Sequence, residues 1–213
     1  MQLLIATTNH KKAGEMAQIL GTALDGISLL TLADLPPAPE VDEIGETFQE
    51  NARLKALAAL RFSGMPSIAD DGGLVIDALG GAPGVKSHRF LGEHTSFQDK
   101  MARILEMMVD VPEDLRTCRF QCAVAVALPD GTLLEYEGRC EGRIAYAPAG
   151  THGFGYDPLF YLPSRACCMA ELPPEEKHKL SHRGQALGLA VKGLKQVLQE
   201  MPIETQEFRS PGS

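Results

Sequence analysis

The sequence predicts an α/β protein built around a mixed β-sheet. Strand and helix patterns alternate over the first half of the chain, whereas strand patterns cluster after residue 119. Helical crossovers join parallel strands and short turns join antiparallel ones, so this change of pattern favours a sheet that contains both kinds of strand. The 213 residues are enough for one domain with a substantial buried core.

The first half of the chain provides a strand, a polar loop and three helices. Residues 2–7 have the apolar run of a buried strand, and residues 11–20 follow as a helix. Apolar side chains recur on one face of residues 47–61, which predicts a second helix. Residues 96–108 show a similar pattern and predict a third helix.

The second half begins with strands and ends with a helix. Alternating side chains over residues 119–145, interrupted by Pro129-Asp130-Gly131, predict a β-hairpin. The last helix is expected over residues 181–199. We expect residues 1–200 to form a single domain and residues 201–213 to form a polar tail.

The composition argues against several classes of protein. A formal net charge of −8 does not suit a protein that coats a nucleic-acid polymer, because such binding requires many basic groups against the phosphates. The five cysteines lack paired Cys-x-x-Cys spacing, which argues against a disulfide framework or a structural zinc site. No apolar run reaches the roughly 18 residues of a membrane helix, and no basic secretory leader is present. A cytoplasmic protein without a membrane partner is therefore expected.

Two adjacent carboxylates follow a short apolar run in Ser67-Ile68-Ala69-Asp70-Asp71-Gly72-Gly73-Leu74. The pattern predicts a strand that delivers the carboxylates to a glycine turn. Because side chains alternate along a strand, Asp70 and Asp71 should point to opposite faces, one toward a cleft and the other toward the scaffold. Asp-Asp-Gly-Gly is also common turn chemistry without a ligand, so this motif alone leaves both interpretations open.

A polar loop joins the first strand to the first helix in Thr7-Thr8-Asn9-His10-Lys11-Lys12. Free backbone N–H groups and the helix dipole favour an anion at such a position. The loop has neither the Gly-x-x-x-x-Gly-Lys-Ser/Thr pattern nor the Gly-x-Gly-x-x-Gly pattern. A solvated helix start is the alternative interpretation.

Acidic residues surround the start of the second predicted helix. Thr47 and Glu50 have the spacing of a capping box, so Glu50 has a structural role that requires no catalysis. Glu43 has no such role, and a loop carboxylate here could hold Mg²⁺, which prefers oxygen ligands. The helix that follows carries Lys55.

Glycines alternate with aromatic residues in Thr151-His152-Gly153-Phe154-Gly155-Tyr156-Asp157-Pro158. Such a loop suits a flat ligand, and stacking on a nucleobase is worth about 1–3 kcal/mol per base. A turn that packs into the core is the competing interpretation.

Basic groups crowd the predicted start of the last helix, at Lys177, His182 and Arg183. Cations are unfavourable at a helix N-terminus, here capped by Ser181, so an anionic or polar ligand would explain them. A solvated charged turn is the alternative.

Together these segments make the chain similar to the inosine triphosphate pyrophosphatase family, also called the Ham1-like family. The resemblance covers nearly the whole chain and is specific because its motifs are collinear. These motifs are Ala6-Thr7-Thr8-Asn9-His10-Lys11-Lys12, Glu46-Thr47-Phe48-Gln49-Glu50-Asn51-Ala52 through Lys55-Ala56, Ala69-Asp70-Asp71-Gly72-Gly73-Leu74, Leu79-Gly80-Gly81-Ala82-Pro83-Gly84, Phe154-Gly155-Tyr156-Asp157-Pro158 and Ser181-His182-Arg183-Gly184-Gln185-Ala186-Leu187.

The resemblance implies hydrolysis of a purine nucleoside triphosphate to the monophosphate and pyrophosphate. Preferred substrates would be dITP, ITP and XTP, the deaminated purines that would otherwise enter nucleic acid. It also implies an elongated α/β fold with two lobes around a central cleft, dependence on Mg²⁺, and a homodimer.

The resemblance also assigns roles residue by residue. Asp71 would be the general base and would hold Mg²⁺ together with Glu43. His182 and Arg183 would donate hydrogen bonds to the purine 6-oxygen, which adenine lacks. Phe154 would stack on the base. The remaining expected contacts are to phosphate from Thr7, Thr8, Asn9, His10, Lys11, Lys12, Lys55, Lys177 and residues 87–89, and to the base from Gly155, Tyr156 and Asp157.

Two positions depart from the family pattern. Thr8 stands where glycine is frequent, and Gly72 stands where serine is frequent. Only the backbone N–H of Gly72 is therefore expected to contact substrate. Two other functions fit the same residues: a pyrophosphatase for modified pyrimidine nucleotides, and a nucleotide sensor that has lost catalysis.

Overall fold

The computed structural model describes residues 1–200, and the predicted polar tail lies outside the described residues. The strands in this part of the chain are β1 (Gln2–Ile5), β2 (Ser28–Thr31), β3 (Ser67–Ile76), β4 (Thr117–Ala127), β5 (Leu133–Ile144), β6 (Phe160–Leu162) and β7 (Cys167–Cys168). The α-helices are α1 (His10–Gly21), α2 (Phe48–Ser63), α3 (Phe97–Met107), α4 (Pro174–Leu180) and α5 (His182–Glu200). Within residues 1–200, none of the helices combines the length and apolar character needed to cross a membrane.

The β-sheet is mixed, as the sequence predicts. In the described part of the chain, seven strands form the sheet in the order β2-β1-β3-β4-β5-β6-β7. Strand β1 runs parallel to β2 and β3, and the other neighbouring pairs are antiparallel. The predicted hairpin is confirmed as β4 and β5, which pair from Thr117 and Arg143 to Ala127 and Leu133.

Local side-chain contacts set the helix starts. Thr47 Oγ1 accepts a hydrogen bond from Glu50 N at 3.1 Å, and the Glu50 carboxylate accepts one from Thr47 N at 3.2 Å. This confirms the predicted capping box. Ser181 Oγ accepts a hydrogen bond from Gly184 N at 3.0 Å, as expected at the start of α5. The short helix α4 has no counterpart among the predicted elements; proline at its first position suits a helix start.

The prediction that β3 ends in a glycine turn is wrong. The strand continues through Asp70, Asp71, Gly72 and Gly73 to Ile76 and pairs with β4 along this whole length. A side chain at position 72 would place its Cβ only 2.5 Å from the Gln121 backbone oxygen. Glycine is therefore needed at this point because another backbone lies close by, and not because the chain turns.

The three buried clusters found within residues 1–200 correspond to two lobes, because two of them cover the two faces of one part of the sheet and the third lies elsewhere. One cluster lies between the sheet and helices α1 and α5, and a second lies between the opposite face of the sheet and α2. The third includes residues of α3 and β6 and lies toward the other end of the sheet. Strands β3 and β4 contribute to all three clusters, so they run through both lobes.

An open strand edge lies between these lobes. Strand β1 ends at Ile5, whose partner is Ile68, whereas β3 continues to Ile76. Within residues 1–200, no strand pairs with this edge of β3 between Ile68 and the isolated bridge that joins Val75 to Pro83. The two aspartates lie on this stretch, beside the polar loop that follows β1.

Candidate active site

Asp71 lies at the centre of the candidate active site, buried on the face of β3 that packs against α2. Asn51 Nδ2 donates a hydrogen bond to Asp71 Oδ2 at 3.1 Å, and Lys55 Nζ lies 3.4 Å from Asp71 Oδ1. Asn51 and Lys55 are four residues apart on α2, so they share one face of the helix. Asp70 contacts Arg183 instead, which confirms that the two aspartates point in opposite directions.

Glu43 contacts the same lysine. Lys55 Nζ donates a hydrogen bond to Glu43 Oε1 at 2.8 Å, so one ammonium group lies between the carboxylates of Glu43 and Asp71. Arg89 Nη2 donates to the Glu43 backbone oxygen at 3.0 Å and holds the loop from its other side. The structure thus brings the two predicted metal ligands together.

Burial and charge give the groups of this centre different proton affinities. Burial raises the pKa of Asp71, and Lys55 and Lys12 only partly oppose the rise. Burial alone would raise the pKa of Glu43 as well, but Lys55 outweighs it and the pKa is lowered. Burial would lower the pKa of Lys55, yet the nearby carboxylates outweigh it and the pKa is raised. Lys55 therefore stays charged, and Asp71 is a stronger base than an ordinary aspartate.

The chemistry of this centre fits Mg²⁺. Among residues 1–200, no group of three or more His, Cys, Asp or Glu side chains is arranged to hold a metal ion by itself. Mg²⁺ in nucleotide sites commonly uses one or two carboxylates and takes its other ligands from water and substrate phosphates. Glu43 and Asp71, which already share one cationic group, could supply those carboxylates.

At the predicted anion site at the start of α1, two backbone N–H groups already bind a side chain of the same loop. Asn9 Oδ1 accepts hydrogen bonds from Lys11 N at 3.1 Å and Lys12 N at 3.2 Å, so Asn9 is the helix N-cap. Thr7 Oγ1 in turn accepts from Asn9 N at 3.2 Å. The exposed side chains of this loop are those of Thr8, His10 and Lys11.

A largely buried charged cluster lies beside the start of α5. Its members are the carboxylates of Glu15, Asp70 and Asp157 and the basic groups of Lys12, Lys177 and Arg183. Arg183 Nε donates to Asp70 Oδ2 at 2.9 Å, and Arg183 Nη1 donates to Glu15 Oε2 at 2.6 Å. Lys177 Nζ lies 2.8 Å from Asp157 Oδ2 and 3.1 Å from Glu15 Oε1. The chain's own carboxylates therefore neutralise the basic groups at this helix start.

The pKa values of two carboxylates in this cluster are depressed. Burial alone would raise the pKa of Asp70, but Lys12 and Arg183 outweigh it and hold the pKa far below its usual range. Burial would also raise the pKa of Glu15, but Arg183 and Lys177 outweigh it and the pKa is lowered. Both carboxylates are therefore ionised at neutral pH.

His182 lies at the beginning of α5 and is neutral. Burial, together with the positive charges of Arg183 and Lys177, lowers its pKa well below the usual value. Its ring stacks on Phe120, with centroids 4.7 Å apart and an interplanar angle of 16°. Within residues 1–200, the buried His182 Nδ1 has no hydrogen-bond partner, and Arg183 Nη2 has no acceptor. Two neighbouring residues thus each present a free polar atom.

Phe154 lies beside the charged cluster. Its ring is 4.7 Å from Lys177 Nζ and 5.4 Å from Arg183 Cζ, distances that suit cation–π contacts. Asp157 Oδ2 accepts a hydrogen bond from Phe154 N at 2.8 Å and fixes the loop. The structure therefore places Phe154 near Arg183, as a shared base pocket requires.

Tyr156 and Gly155 lie in the same loop, but Tyr156 packs into the buried cluster that contains α3 and β6, as the competing interpretation of this loop expected. Tyr156 Oη donates a buried hydrogen bond to the Ser87 backbone oxygen at 2.9 Å, and its ring packs edge-on against Phe97. Gly155 has a φ of 67° and lies close to the same phenylalanine. The loop is thus tied to residues 87–89, which include the Arg89 that contacts Glu43.

Two buried residues with central contacts have no role in the sequence predictions. They are Glu15, which binds both Arg183 and Lys177, and Asn51, which binds Asp71. Each is a polar residue on the buried face of an amphipathic helix, next to Met16 in α1 or Ala52 in α2. Such placement is the signal that sequence inspection could have used, because polar side chains are buried only with partners.

The fold and the site define a class of protein. A carboxylate with raised proton affinity, a second carboxylate and a shared lysine, all at an open strand edge beside a polar loop, suit metal-assisted phosphoryl chemistry. A model of the Ham1 family matches residues 3–193. The chain belongs to the Ham1 family.

Similar proteins agree with this assignment. A dITP/XTP pyrophosphatase of Geobacillus kaustophilus is 50% identical over 186 residues, which cover 87% of this chain and 90% of the relative. A dITP/XTP pyrophosphatase of Geobacter sulfurreducens is 46% identical over 190 residues, covering 88% and 94% of the two chains. The solved structure of a HAM1 protein from Coxiella burnetii superposes with a TM-score of 0.83 at 37% identity and covers 92% of this chain and 99% of that one.

Proposed function

We propose that this protein hydrolyses deaminated, noncanonical purine nucleoside triphosphates such as dITP, ITP and XTP to the monophosphate and pyrophosphate. Removal of these nucleotides cleanses the pool from which nucleic acids are made. The observation that carries the proposal is the position of Asp71, a buried carboxylate with raised pKa held between Asn51 and Lys55. Membership of a family with dITP/XTP pyrophosphatases supports the choice of substrate.

The chain supplies the base for the hydrolytic step. Asp71 accepts the proton of a water molecule whose oxygen forms a bond to the α-phosphorus, while the bond from that phosphorus to the bridging oxygen breaks and pyrophosphate leaves. Lys55 and Lys12, which both lie near the aspartate pair, stabilise negative charge on the phosphates. Glu43 and Asp71 would hold Mg²⁺, which would supply polarisation of the phosphoryl oxygens and offset their charge.

Base selectivity depends on the free polar atoms at the start of α5. Arg183 Nη2 is a donor only, and His182 Nδ1 is a donor when it carries the ring proton. The 6-oxygen of hypoxanthine or xanthine accepts from both, whereas the 6-amino group of adenine would leave them unpaired. A mismatch of this kind, in which the donors of the site lose their acceptor, can discriminate by as much as 10⁴–10⁵.

Family membership also supports the other parts of the proposal. The enzyme depends on Mg²⁺, acts as a homodimer and works in the cytoplasm, and its partner is a small nucleotide and neither a nucleic-acid polymer nor a membrane. Residues 1–200 form a single domain. The remaining substrate contacts proposed are those of Thr7 to Lys12, the Gly72 backbone N–H, and Lys177 with the 154–157 loop.

The test incubates the purified protein and Mg²⁺ separately with dITP, XTP, dATP, dGTP, dTTP and dUTP, and distinguishes pyrophosphate from orthophosphate. Pyrophosphate from dITP and XTP alone is the expected result; guanine also carries a 6-oxygen, so rejection of dGTP has to come from its 2-amino side. Orthophosphate would place the attack at the γ-phosphate and refute the proposed bond, and a preference for dUTP would refute the purine assignment. Tight binding of dITP without product would identify a sensor.

The substitution Asp71→Asn tests the proposed base. It keeps the size of the side chain but removes the proton acceptor, so kcat for dITP should fall by about 10²–10⁴. Asp77→Asn is the matched control, because Asp77 directly follows β3 but is exposed and pairs with Arg119. Equal kcat values for the two variants would exclude Asp71 as the base.

A further inference from the structure

Asn51 makes no proposed contact with substrate, yet both ends of its amide are hydrogen-bonded inside the site. Its side chain is 0% exposed, which is unusual for asparagine unless both ends of the amide are hydrogen-bonded. Asparagine is also a poor helix former compared with the alanines around it in α2. Neither helix stability nor apolar packing accounts for an asparagine here.

The two ends of the amide bind different parts of the site. Asn51 Nδ2 donates to Asp71 Oδ2 at 3.1 Å, and Asn51 Oδ1 accepts from Gly45 N at 2.8 Å. The reverse orientation would set the amide oxygen against the carboxylate and the amide nitrogen against an N–H group. The contacts therefore require one donor and one acceptor in this order.

The Gly45 contact fixes the loop that carries Glu43. A Cβ at position 45 would lie 2.6 Å from Asn51 Oδ1 and 2.7 Å from Glu50 Cβ, so the loop backbone is pressed against α2. Glu43 precedes this contact by two residues. Asn51 is thus one side chain through which α2 holds both this loop and Asp71.

Lys55 makes the parallel connection one helical turn later, between Glu43 Oε1 and Asp71 Oδ1. A divalent cation between the two carboxylates would compete with the Lys55 ammonium for those oxygens. The Asn51 contacts use Asp71 Oδ2 and a backbone N–H, and not the two oxygens that Lys55 binds. We propose that Asn51 is a positioning residue that fixes Asp71 relative to the Glu43 loop and so preorganises the two carboxylates for a divalent cation. This inference rests on the proposed function of the site.

The test compares Asn51→Ala with Asn51→Leu; both remove the two hydrogen bonds, and leucine keeps the branched shape of the side chain without adding a charge beside Asp71. Gln49→Ala is the matched control, because Gln49 lies on the same helical turn and its side chain bonds Glu137. Binding of Mn²⁺ to each protein is measured without nucleotide by electron paramagnetic resonance. The kcat and KM for dITP and the thermal midpoint are measured in parallel.

Both Asn51 variants should bind Mn²⁺ about 10- to 100-fold more weakly than the control, the usual effect of losing a partner of a metal ligand. Their kcat should fall by a similar factor while KM for dITP changes less than about threefold, because Asn51 contacts no substrate. Wild-type Mn²⁺ affinity in a folded variant would overturn the proposal. A fall in thermal midpoint with kcat and Mn²⁺ binding intact in the folded fraction would also overturn it, in favour of a structural role.

The outcomes separate this inference from the proposed function. If Asn51→Ala does not fold, Asn51→Leu carries the comparison, since it keeps the side-chain shape and leaves no cavity. If the wild-type protein releases no pyrophosphate from dITP, the proposed function fails, but the Mn²⁺ comparison still decides whether Asn51 positions the carboxylates.

Discussion

Replacing Glu15 by glutamine tests the energetic weight of the buried charged cluster. Glu15 accepts from Arg183 at 2.6 Å and lies 3.1 Å from Lys177 Nζ, and hydrogen bonds to charged groups contribute about 1.5–3 kcal/mol each. Arg183 keeps Asp70 and Lys177 keeps Asp157 after the change, so the lower end of the summed range applies. We expect a loss of about 3 kcal/mol in the free energy of unfolding, close to the cost of breaking a buried ion pair.

The loss is measurable by urea unfolding followed by far-ultraviolet circular dichroism, which suits a chain without tryptophan. In a thermal experiment it corresponds to a fall of about 6–12 °C in the midpoint for a domain of this size. Glu176→Gln is the matched control. Glu176 forms an exposed pair with Arg165 at 3.5 Å, and such pairs contribute at most about 1 kcal/mol.

The pH dependence provides an independent check of sign. The pKa of Glu15 is lowered in the folded state from its ordinary value of 4.5. Its stabilisation is therefore fully present above the unfolded pKa and disappears as the pH falls through the lower, folded pKa. The stability difference between wild type and Glu15→Gln should be constant from pH 7 to about pH 5 and shrink in more acidic solution. A difference below about 1 kcal/mol at pH 7, or one that does not shrink in acid, would refute the reasoning.

Two further substitutions separate stability from binding. Asn9→Asp keeps a good N-cap for α1 but adds a negative charge where the triphosphate is proposed to lie. The KM for dITP should therefore rise at least about tenfold, with the thermal midpoint unchanged. A lower midpoint with unchanged KM would contradict this. Arg116→Met removes donors to the backbone oxygens of Met108, Ile144 and Ala145. Urea unfolding should show a loss of about 3–5 kcal/mol in the free energy of unfolding, while kcat of the folded protein is retained. Wild-type stability would show that those oxygens find other partners.

Local signals account for the elements that the sequence predicts correctly. The capping box at Thr47 and the turn at Pro129-Asp130-Gly131 each depend on residues close together in the chain. The continuation of β3 through Gly72 and Gly73 depends instead on Gln121 and Ser87, which approach these glycines from other segments of the chain. Glycine next to aspartate reads locally as a turn, and only the tertiary neighbours show that it permits close packing of strands.

The candidate site divides in the same way. Glu43, Lys55 and Asp71 could be grouped because the family resemblance assigns each of them a role, and the structure places the two carboxylates around the Lys55 ammonium group. Glu15 lies outside the family motifs, and Asn51 lies inside one of them without an assigned role. Their roles arise from contacts with residues far along the chain, Arg183 for Glu15 and Asp71 for Asn51, which periodicity cannot specify.

The charge balance of the buried cluster bears on how the proposed substrate lies in the cleft. Glu15, Asp70 and Asp157 already neutralise the basic groups near Phe154, so that end offers hydrogen-bond donors without a surplus of positive charge. The start of α1 differs, because the side chain of Lys11 is exposed there and the helix dipole adds positive potential. A triphosphate gains more from the second environment and a neutral purine from the first. The base would therefore lie against Phe154 and the start of α5, with the α-phosphate beside Asp71 and the leaving phosphates toward α1.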